Sequence, residues 1–335
     1  MDDQAAIDPQ LLDALLRARG PVSTARLRKD LTRSTSQLNQ EFDRLRAAGC
    51  RVEIDPAGHA RLTASGLGAW VDYLKWRGPG RGGVEVYQRT SSTQDAARRL
   101  IAARGGDAHA ALVAADEQTA GRGRLGRHWV APPGTAALFS VVWIVDSLRG
   151  NLTTDRLLFA VAVAVCEAIE AVGGPHVPDL RIRWPNDVLI EGCKVAGILV
   201  ESSSLTSDDR ANGSLAAIIG IGVNVGLTQQ HIRDHMSELD DITSLAMCGV
   251  TADRLLVIAE IIEHMDRAMQ EQDTATLLDR WRRRSTVLDR CVSIVHDGQT
   301  VRGQVVDLDP HEGLIVRTDE GQLRHFSAQT STIVS

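Results

Sequence analysis

The chain has 335 residues, 43% of them hydrophobic and 24% charged, with a net charge of −6. That length holds two or three globular domains, and an acidic whole leaves any nucleic-acid contact to a local patch. Five scattered cysteines without a C-x-x-C pair exclude a disulfide framework and a four-cysteine zinc site and point to a reducing cytoplasm, while an acidic start and a longest apolar run of only 157–166 exclude a signal core and a membrane span.

Residues 1–66 predict a small helical head. Leu11, Leu12, Leu15 and Leu16 line one face of a first helix over 9–19, which Gly20-Pro21 ends. Ser23 is placed to cap a second helix over 25–31, and Ser34 a third over 35–48, with Gly49 as its stop. Strand-like runs at 51–55 and 59–63 flank Pro56-Ala57-Gly58. Three helices and a short β-wing read as a winged helix-turn-helix. Its DNA-facing candidates are Arg33, Ser34, Ser36, Gln37 and Gln40, at the start of the third helix. The head carries ten Lys/Arg against nine Asp/Glu. Because DNA affinity rests on phosphate neutralisation, two readings stay open: a DNA-binding head, and a winged helix kept for structure or dimerisation.

Residues 67–83 read as a linker, a short helix over 67–76 followed by the joint Gly78-Pro79-Gly80-Arg81-Gly82-Gly83. Over 84–285 strands and helices mix. Strands are expected at 84–89, 110–115, 137–145, 179–184, 188–190, 195–201 and 215–225, and helices at 93–103, 154–172 and, as one or two, across 252–281. Clustered strands with helices set apart indicate α+β rather than a regular βαβ repeat. Residues 286–335 hold short alternating runs at 291–296, 300–307, 313–318 and 322–327 with turn signals at Asp297-Gly298 and Glu320-Gly321, which reads as a small β-barrel.

Four segments carry chemistry. The loop Gly121-Arg122-Gly123-Arg124-Leu125-Gly126-Arg127-His128-Trp129 sets three arginines among three glycines. Glycines let backbone approach a ligand, and forked guanidinium donors suit carboxylate and phosphate. The loop matches G-x-G-x-x-G literally, but Ala131-Pro132-Pro133-Gly134 follows where a dinucleotide fold needs a helix. A P-loop ending in Gly-Lys-Ser/Thr is absent. Next, Arg183-Trp184-Pro185-Asn186-Asp187 and Lys194-Val195-Ala196-Gly197-Ile198-Leu199-Val200-Glu201 are two strand-like runs about a turn. Asp187 suits a metal or a substrate amide, and Lys194 a carboxylate or phosphoryl oxygen; a plain hairpin with a surface lysine fits as well. Ser91-Ser92-Thr93-Gln94 opens a helix, as caps or as ligand contacts. Finally, Gly220-Ile221-Gly222-Val223-Asn224 puts an asparagine in an apolar strand, a costly burial unless it is bonded. His231 and His235, spaced i, i+4 without an H-E-x-x-H glutamate, read as a solvated helix face.

These four segments in this order resemble the biotin protein ligases. With the N-terminal head, the chain is similar to the bifunctional bacterial form, both ligase and repressor of the biotin operon. The resemblance implies a winged helix-turn-helix (1–66), a linker (67–83), a central mixed-sheet α+β ligase domain (84–285) and a C-terminal SH3-like β-barrel (286–335). It implies that biotin and MgATP give biotinyl-5′-AMP and pyrophosphate, and that the adenylate acylates a lysine of a biotin carboxyl carrier protein. Operator DNA and a homodimer follow from the same resemblance. By motif match, Ser92, Thr93, Gln94 and Gln118 would face biotin, Arg122, Gly123 and Arg124 would close on its carboxylate and the phosphates, and Lys194 would contact the reacting groups. Arg127, Trp129, Asn186, Asp187 and Asn224 would support nucleotide, metal or loop, with Mg²⁺ carried by ATP. The chain departs from the pattern at Gln94, where asparagine often stands, at Arg183, where lysine is common, and in a wing without the usual Gly-Tyr. A lipoate-attachment enzyme, related in fold, is the alternative enzyme, and a biotin sensor without ligase activity the alternative outside catalysis.

Overall fold

The computed structural model describes residues 6–78, 82–146, 153–203, 205, 214–236, 241–271 and 273–334. Positions 79–81 of the glycine-rich joint lie outside the described residues.

The head comprises α1 (Pro9–Leu16), β1 (Val22–Ser23), α2 (Thr24–Asp30), α3 (Thr35–Ala47), β2 (Arg51–Ile54) and β3 (His59–Ala64). Asp8 starts α1 by accepting the Gln10 and Leu11 N–H groups. The start of α3 is a reciprocal capping box: Ser34 Oγ accepts from the Gln37 N–H, and Gln37 Oε1 from the Ser34 N–H. Gly49, at φ 87°, ends that helix and turns Cys50 back onto the Leu45 carbonyl. Ser23 sits at the N-cap of α2 but its hydroxyl makes no capping bond. Its backbone belongs instead to β1, opposite His59, so the expected hairpin is a three-stranded sheet ordered β1-β3-β2.

α4 (Leu67–Arg77) buries Ala69, Trp70, Tyr73 and Leu74. Tyr73 donates to Asp13 of α1 at 2.7 Å, so the head is bound to the helix that leads out of it. Ser65 donates its backbone N–H and its hydroxyl to Asp253 at 2.8 and 2.7 Å, and ion pairs add to the junction. Glu260 of α8 (Arg254–Gln270), only 5% exposed, accepts from Arg17 and from Arg77, the latter at 2.8 Å. Replacing Glu260 by glutamine takes one of two carboxylate partners from each arginine, leaving the exposed Arg17 with Asp13 and the half-buried Arg77 with Glu263. The expected loss is about 1–3 kcal/mol, the cost of removing one partner of a buried charged hydrogen bond, read as a lower melting temperature; an unchanged temperature would show that the junction does not depend on this carboxylate.

The central unit continues with β4 (Val84–Thr90), α5 (Thr93–Arg104), β5 (Leu112–Gln118), β6 (Ala136–Asp146), α6 (Thr154–Gly173), β7 (Leu180–Arg183), β8 (Asp187–Ile190), β9 (Cys193–Ser203), β10 (Ser214–Asn224), α7 (Gln229–His235), α8 and α9 (Thr274–Arg282). Its strands form one mixed sheet in the order β4-β5-β6-β10-β9-β8-β7, parallel only between β4 and β5. A helix apolar on every side needs cover on every side. α6 is such a helix, and it lies between the sheet and α8 with Leu157 through Val165 all buried. Alternation along the strands then splits the sheet. Val141, Ile219 and Ile221 join the core with α6, while Val142 and Ile218 meet Ala97 and Ile101 of α5 on the other face.

The last unit is an antiparallel sheet of β11 (Cys291–His296), β12 (Gln299–Asp309), β13 (Gly313–Thr318), β14 (Leu323–Phe326) and β15 (Ser331–Val334), ordered β14-β13-β12-β11-β15. Asp155, in the first turn of α6, docks it by accepting from Ser327 Oγ and the Ala328 N–H, both at 2.7 Å. Burial pushes the Asp155 carboxyl up, and these two bonds oppose the shift. No helix among the described residues is long and apolar enough to cross a membrane.

Candidate active site

α5 covers only part of its face of the sheet. Beyond its N-terminus the outward positions of β9 and β10 are Gly197, Leu199, Gly220 and Gly222, with Gly197 directly opposite Gly222. Small residues there leave a notch where a second row of side chains would stand. The result is a cavity of about 940 Å³, floored by β9 and β10, bounded by the start of α5 and the β7–β8 turn, and roofed by the 121–129 loop.

One end of the cavity is a web of short polar side chains. Ser92 caps α5 by accepting the Gln94 N–H at 3.3 Å. Gln118 Oε1, from the end of β5, accepts the Thr93 N–H at 2.8 Å and Thr93 Oγ1 at 3.2 Å, and Ser140 donates to Thr93 at 2.7 Å. Gln94, 3% exposed, spends its amide N–H groups on the Leu199 and Ile218 carbonyls at 3.3 and 3.4 Å. Its Oε1 is buried with no hydrogen-bond partner among the described residues. A buried acceptor without a donor is costly, so this end is built to receive N–H groups from a ligand.

The loop forms the roof, and its three arginines differ. Arg122 Nη1 lies 2.8 Å from Asp95 and Nη2 3.3 Å from Glu201. Burial works against its charge, but the bonds to these carboxylates prevail and its pKa moves up. Arg124 is deeper. It donates to the carbonyls of Ala328 and Ser331 in the C-terminal unit and to Asn186 Oδ1 at 3.4 Å, and burial moves its pKa down against the pull of Asp187. Arg127 is exposed at the cavity rim. Backbone bonds from Gly123 to Arg127 and from Trp129 to Gly121 close the loop on itself. The Trp129 ring lies in the glycine notch: a Cβ added at Gly222 would be 2.6 Å from its Cε2, and one at Gly197 2.8 Å from its Cζ3.

The other end is charged. Lys194 Nζ is 2.6 Å from Asp187 Oδ1 and 5.5 Å from the centroid of the Trp129 ring, and Arg183 reaches the second Asp187 oxygen at 3.1 Å. Asn186 donates to the Ile198 carbonyl at 2.9 Å and so ties the β7–β8 turn to β9. Asn224, 3% exposed, donates to the Thr243 and Lys194 carbonyls at 3.0 and 3.5 Å, while its Oδ1 is buried without a partner among the described residues. That answers the cost of an asparagine in an apolar strand: it stitches β10 to the segment beside Lys194.

The tertiary structure thus brings Ser92, Thr93, Gln94, Gln118, Arg122, Gly123, Arg124, Arg127, Trp129, Asn186, Asp187, Lys194 and Asn224 to one cavity. The head residues Arg33, Ser34, Ser36, Gln37 and Gln40 are exposed and do not line it. Among them, Arg33 pairs with Asp8 at 3.1 Å, and Ser34 and Gln37 are engaged in the capping box of α3. Asp187 does not form a metal cage, since both its oxygens face cations, and no group of three or more His, Cys, Asp or Glu among the described residues is arranged for an ion. His235, expected on a solvated face, does sit on an exposed helix, but that helix, α7, borders the cavity, which His235 and Met236 both line. Thr332 and Ile333 of β15 also line it, contributed by a four-residue strand with no marked pattern of its own.

Residues 86–224 match the biotin/lipoate A/B protein ligase family. The bifunctional ligase/repressor BirA of Bacillus spizizenii is 33% identical over 252 residues, covering 72% of this chain and 72% of that protein. The biotin–[acetyl-CoA-carboxylase] ligase of Paracoccus denitrificans is 42% identical over 137 residues, 41% of this chain and 52% of that one. Among solved structures, the biotin protein ligase of Aquifex aeolicus in complex with biotin and ATP superposes with a TM-score of 0.58 at 22% identity, over 75% of this chain and 98% of that one, a likeness of fold.

Proposed function

The chain belongs to the biotin protein ligases and is a ligase, and on that premise we propose that it joins biotin to AMP and then transfers biotin to a lysine of a biotin carboxyl carrier protein. The observation that carries this reading is the cavity itself: a buried acceptor at Gln94 at one end, Lys194 at the other, and an arginine-bearing loop as the roof.

In the first half-reaction a carboxylate oxygen of biotin attacks the α-phosphorus of ATP, and pyrophosphate leaves with the electrons of the broken P–O bond. Two anions must meet, so fixed cations offset their repulsion and the lost entropy of pairing. Lys194, Arg122 and Arg124 are the groups of this chain that would do so. The ureido group of biotin would lie against Gln94, Thr93 and Gln118, where the unpaired Gln94 Oε1 supports a donor. Arg127, Trp129, Asn186 and Asn224 would hold the nucleotide end and the loop. Mg²⁺ would arrive on the ATP phosphates; Asp187, held between Lys194 and Arg183, does not fit as its ligand. In the second half-reaction the carrier amine attacks the acyl carbon and AMP leaves. A closed roof matters because water also attacks a mixed anhydride.

The decisive assay incubates the chain with ATP, Mg²⁺, labelled biotin and a carrier domain; no label on the carrier lysine would remove the reading. Competition between biotin and lipoate separates the related attachment enzyme. Arg124→Ala is expected to weaken biotin binding and to speed escape of the adenylate by about tenfold, the effect of losing about 1.4 kcal/mol of roof contacts. Escape at the wild-type rate would show that the roof does not retain the intermediate.

The head is read as a winged helix-turn-helix with β2 and β3 as its wing, the last unit as an SH3-like barrel, and the whole as a biotin-responsive repressor that pairs through the central sheet. The exposed side chains of Ser36 and Gln40 on α3 support DNA contact. The pairs Arg44–Glu41 and Arg46–Asp43 at 2.5 and 2.9 Å favour the second reading, a ligase whose head does not bind DNA. Mobility shift of the chain's own promoter, with and without biotin and ATP, decides between them.

A further inference from the structure

From Ala136 to Val145 the strand β6 carries a single hydroxyl, Ser140, and it is fully buried. A buried hydroxyl is costly unless it is bonded. Ser140 stands under the start of α5, opposite Gly220 of β10 and Val113 of β5, and does not line the cavity. Its bond is to Thr93 Oγ1, 2.7 Å away.

The protons available fix the direction of that bond. The Thr93 N–H can only donate, so the Gln118 atom 2.8 Å from it is the carbonyl oxygen Oε1. That oxygen has no proton, so the Thr93 hydroxyl, 3.2 Å away, donates to it as well. A hydroxyl has one proton and two lone pairs. Thr93 Oγ1 has spent its proton on Gln118 and is therefore the acceptor of the Ser140 proton. The donors run from the sheet, through Thr93, to the cavity side.

We infer that Ser140 is a positioning residue that holds the Thr93 hydroxyl as a donor toward the cavity, so that this end selects a ligand offering an acceptor oxygen over one offering only N–H groups.

Accepting from Ser140 occupies one Thr93 lone pair and polarises the Thr93 O–H, which strengthens it as a donor. The neighbouring position of the sheet sets the opposite polarity. Gly220, beside Ser140, has no side chain, and Gln94 lies over it: a Cβ there would be 3.1 Å from Gln94 Cδ. Gln94 Oε1 remains a buried acceptor. A donor at Thr93 and an acceptor at Gln94 match a group with a carbonyl oxygen flanked by N–H, which a urea has and a fatty acid or a dithiolane ring lacks. That the urea is biotin's rests on the ligase reading.

Displacement of labelled biotin is the test, with unlabelled biotin and 2-iminobiotin as competitors. At neutral pH the analogue carries a guanidinium in place of the urea and offers N–H groups only. Ser140→Ala is expected to weaken biotin about fivefold, the range of one hydrogen bond, and to weaken the analogue less, so that the preference for biotin narrows. A purely structural defect would weaken both alike. A preference left unchanged, or biotin held as tightly as by the wild type, overturns the assignment. If Ser140→Ala does not fold, Ser140→Cys, which fills the same space with a weak donor, decides. A wild type that binds no biotin sinks the ligase reading instead. The hydroxyl relay is then judged without ligand, by NMR exchange of the Thr93 hydroxyl proton, which is expected to be about fivefold faster in Ser140→Ala; an unchanged rate sinks the relay.

Discussion

Replacing Lys194 by alanine is expected to slow formation of the activated acid by about a hundredfold or more, the scale seen when one preorganised charge partner of a developing anion is removed. Lys194 Nζ is the cation that faces Asp187 at 2.6 Å and stands over the Trp129 ring at 5.5 Å. Its loss acts twice. A positive charge disappears where carboxylate and phosphate must meet, and Asp187 loses its nearer cation, keeping Arg183 at 3.1 Å and the weaker pull of Arg124, so a carboxylate turns toward the incoming anions. Lys194→Arg keeps the charge but replaces a compact ammonium by a planar fork, and is expected to recover only part of the rate. Single-turnover release of pyrophosphate is the measurement. Normal release with failed transfer to the carrier would move Lys194 from the first half-reaction to the second.

Gly222→Ala is expected to lift the roof while leaving the sheet intact. The added carbon would meet Trp129 at 2.6 and 2.7 Å, closer than a real contact allows, and the obstacle is a ring seated between two strands. Gly222 does not adopt a left-handed φ, so the strand backbone accepts alanine and the strain falls on the indole. Overpacking of this kind costs about 1–3 kcal/mol, which corresponds to a loss of about fivefold to a hundredfold in retention of the bound intermediate. Gly226→Ala is the control, since its new carbon would meet only Thr135, at 3.9 Å. Retention equal to wild type in Gly222→Ala would mean that Trp129 can leave the notch without consequence.

Local structure was largely legible because it is written in neighbouring residues. Capping boxes, glycine stops and alternating strands are local rules, and the ends of α3, α5 and α6 fall within a residue or two of expectation. One exception is α1, which stops at Leu16 where 9–19 was expected; others were short pieces whose existence depends on a distant partner. β1 exists because β3 lies beside it, and β15 because β11 offers an edge. Ser23 illustrates the same conflict, since a good capping residue was drawn into a strand.

By itself the sequence determined the chemistry available: arginines on a glycine loop, a hydroxyl-rich helix start, a lysine opening one strand and an asparagine closing another. Only the tertiary structure decided how those charges are used. Arg122 answers to Asp95 and Glu201, Arg124 to carbonyls of the last unit, and Lys194 to Asp187, while Arg127 reaches the rim. The reason is physical. Electrostatic partners and packing neighbours are chosen by distance in space, and strand register, which sets Gly197 against Gly222 and opens the cavity, is a property of the whole sheet.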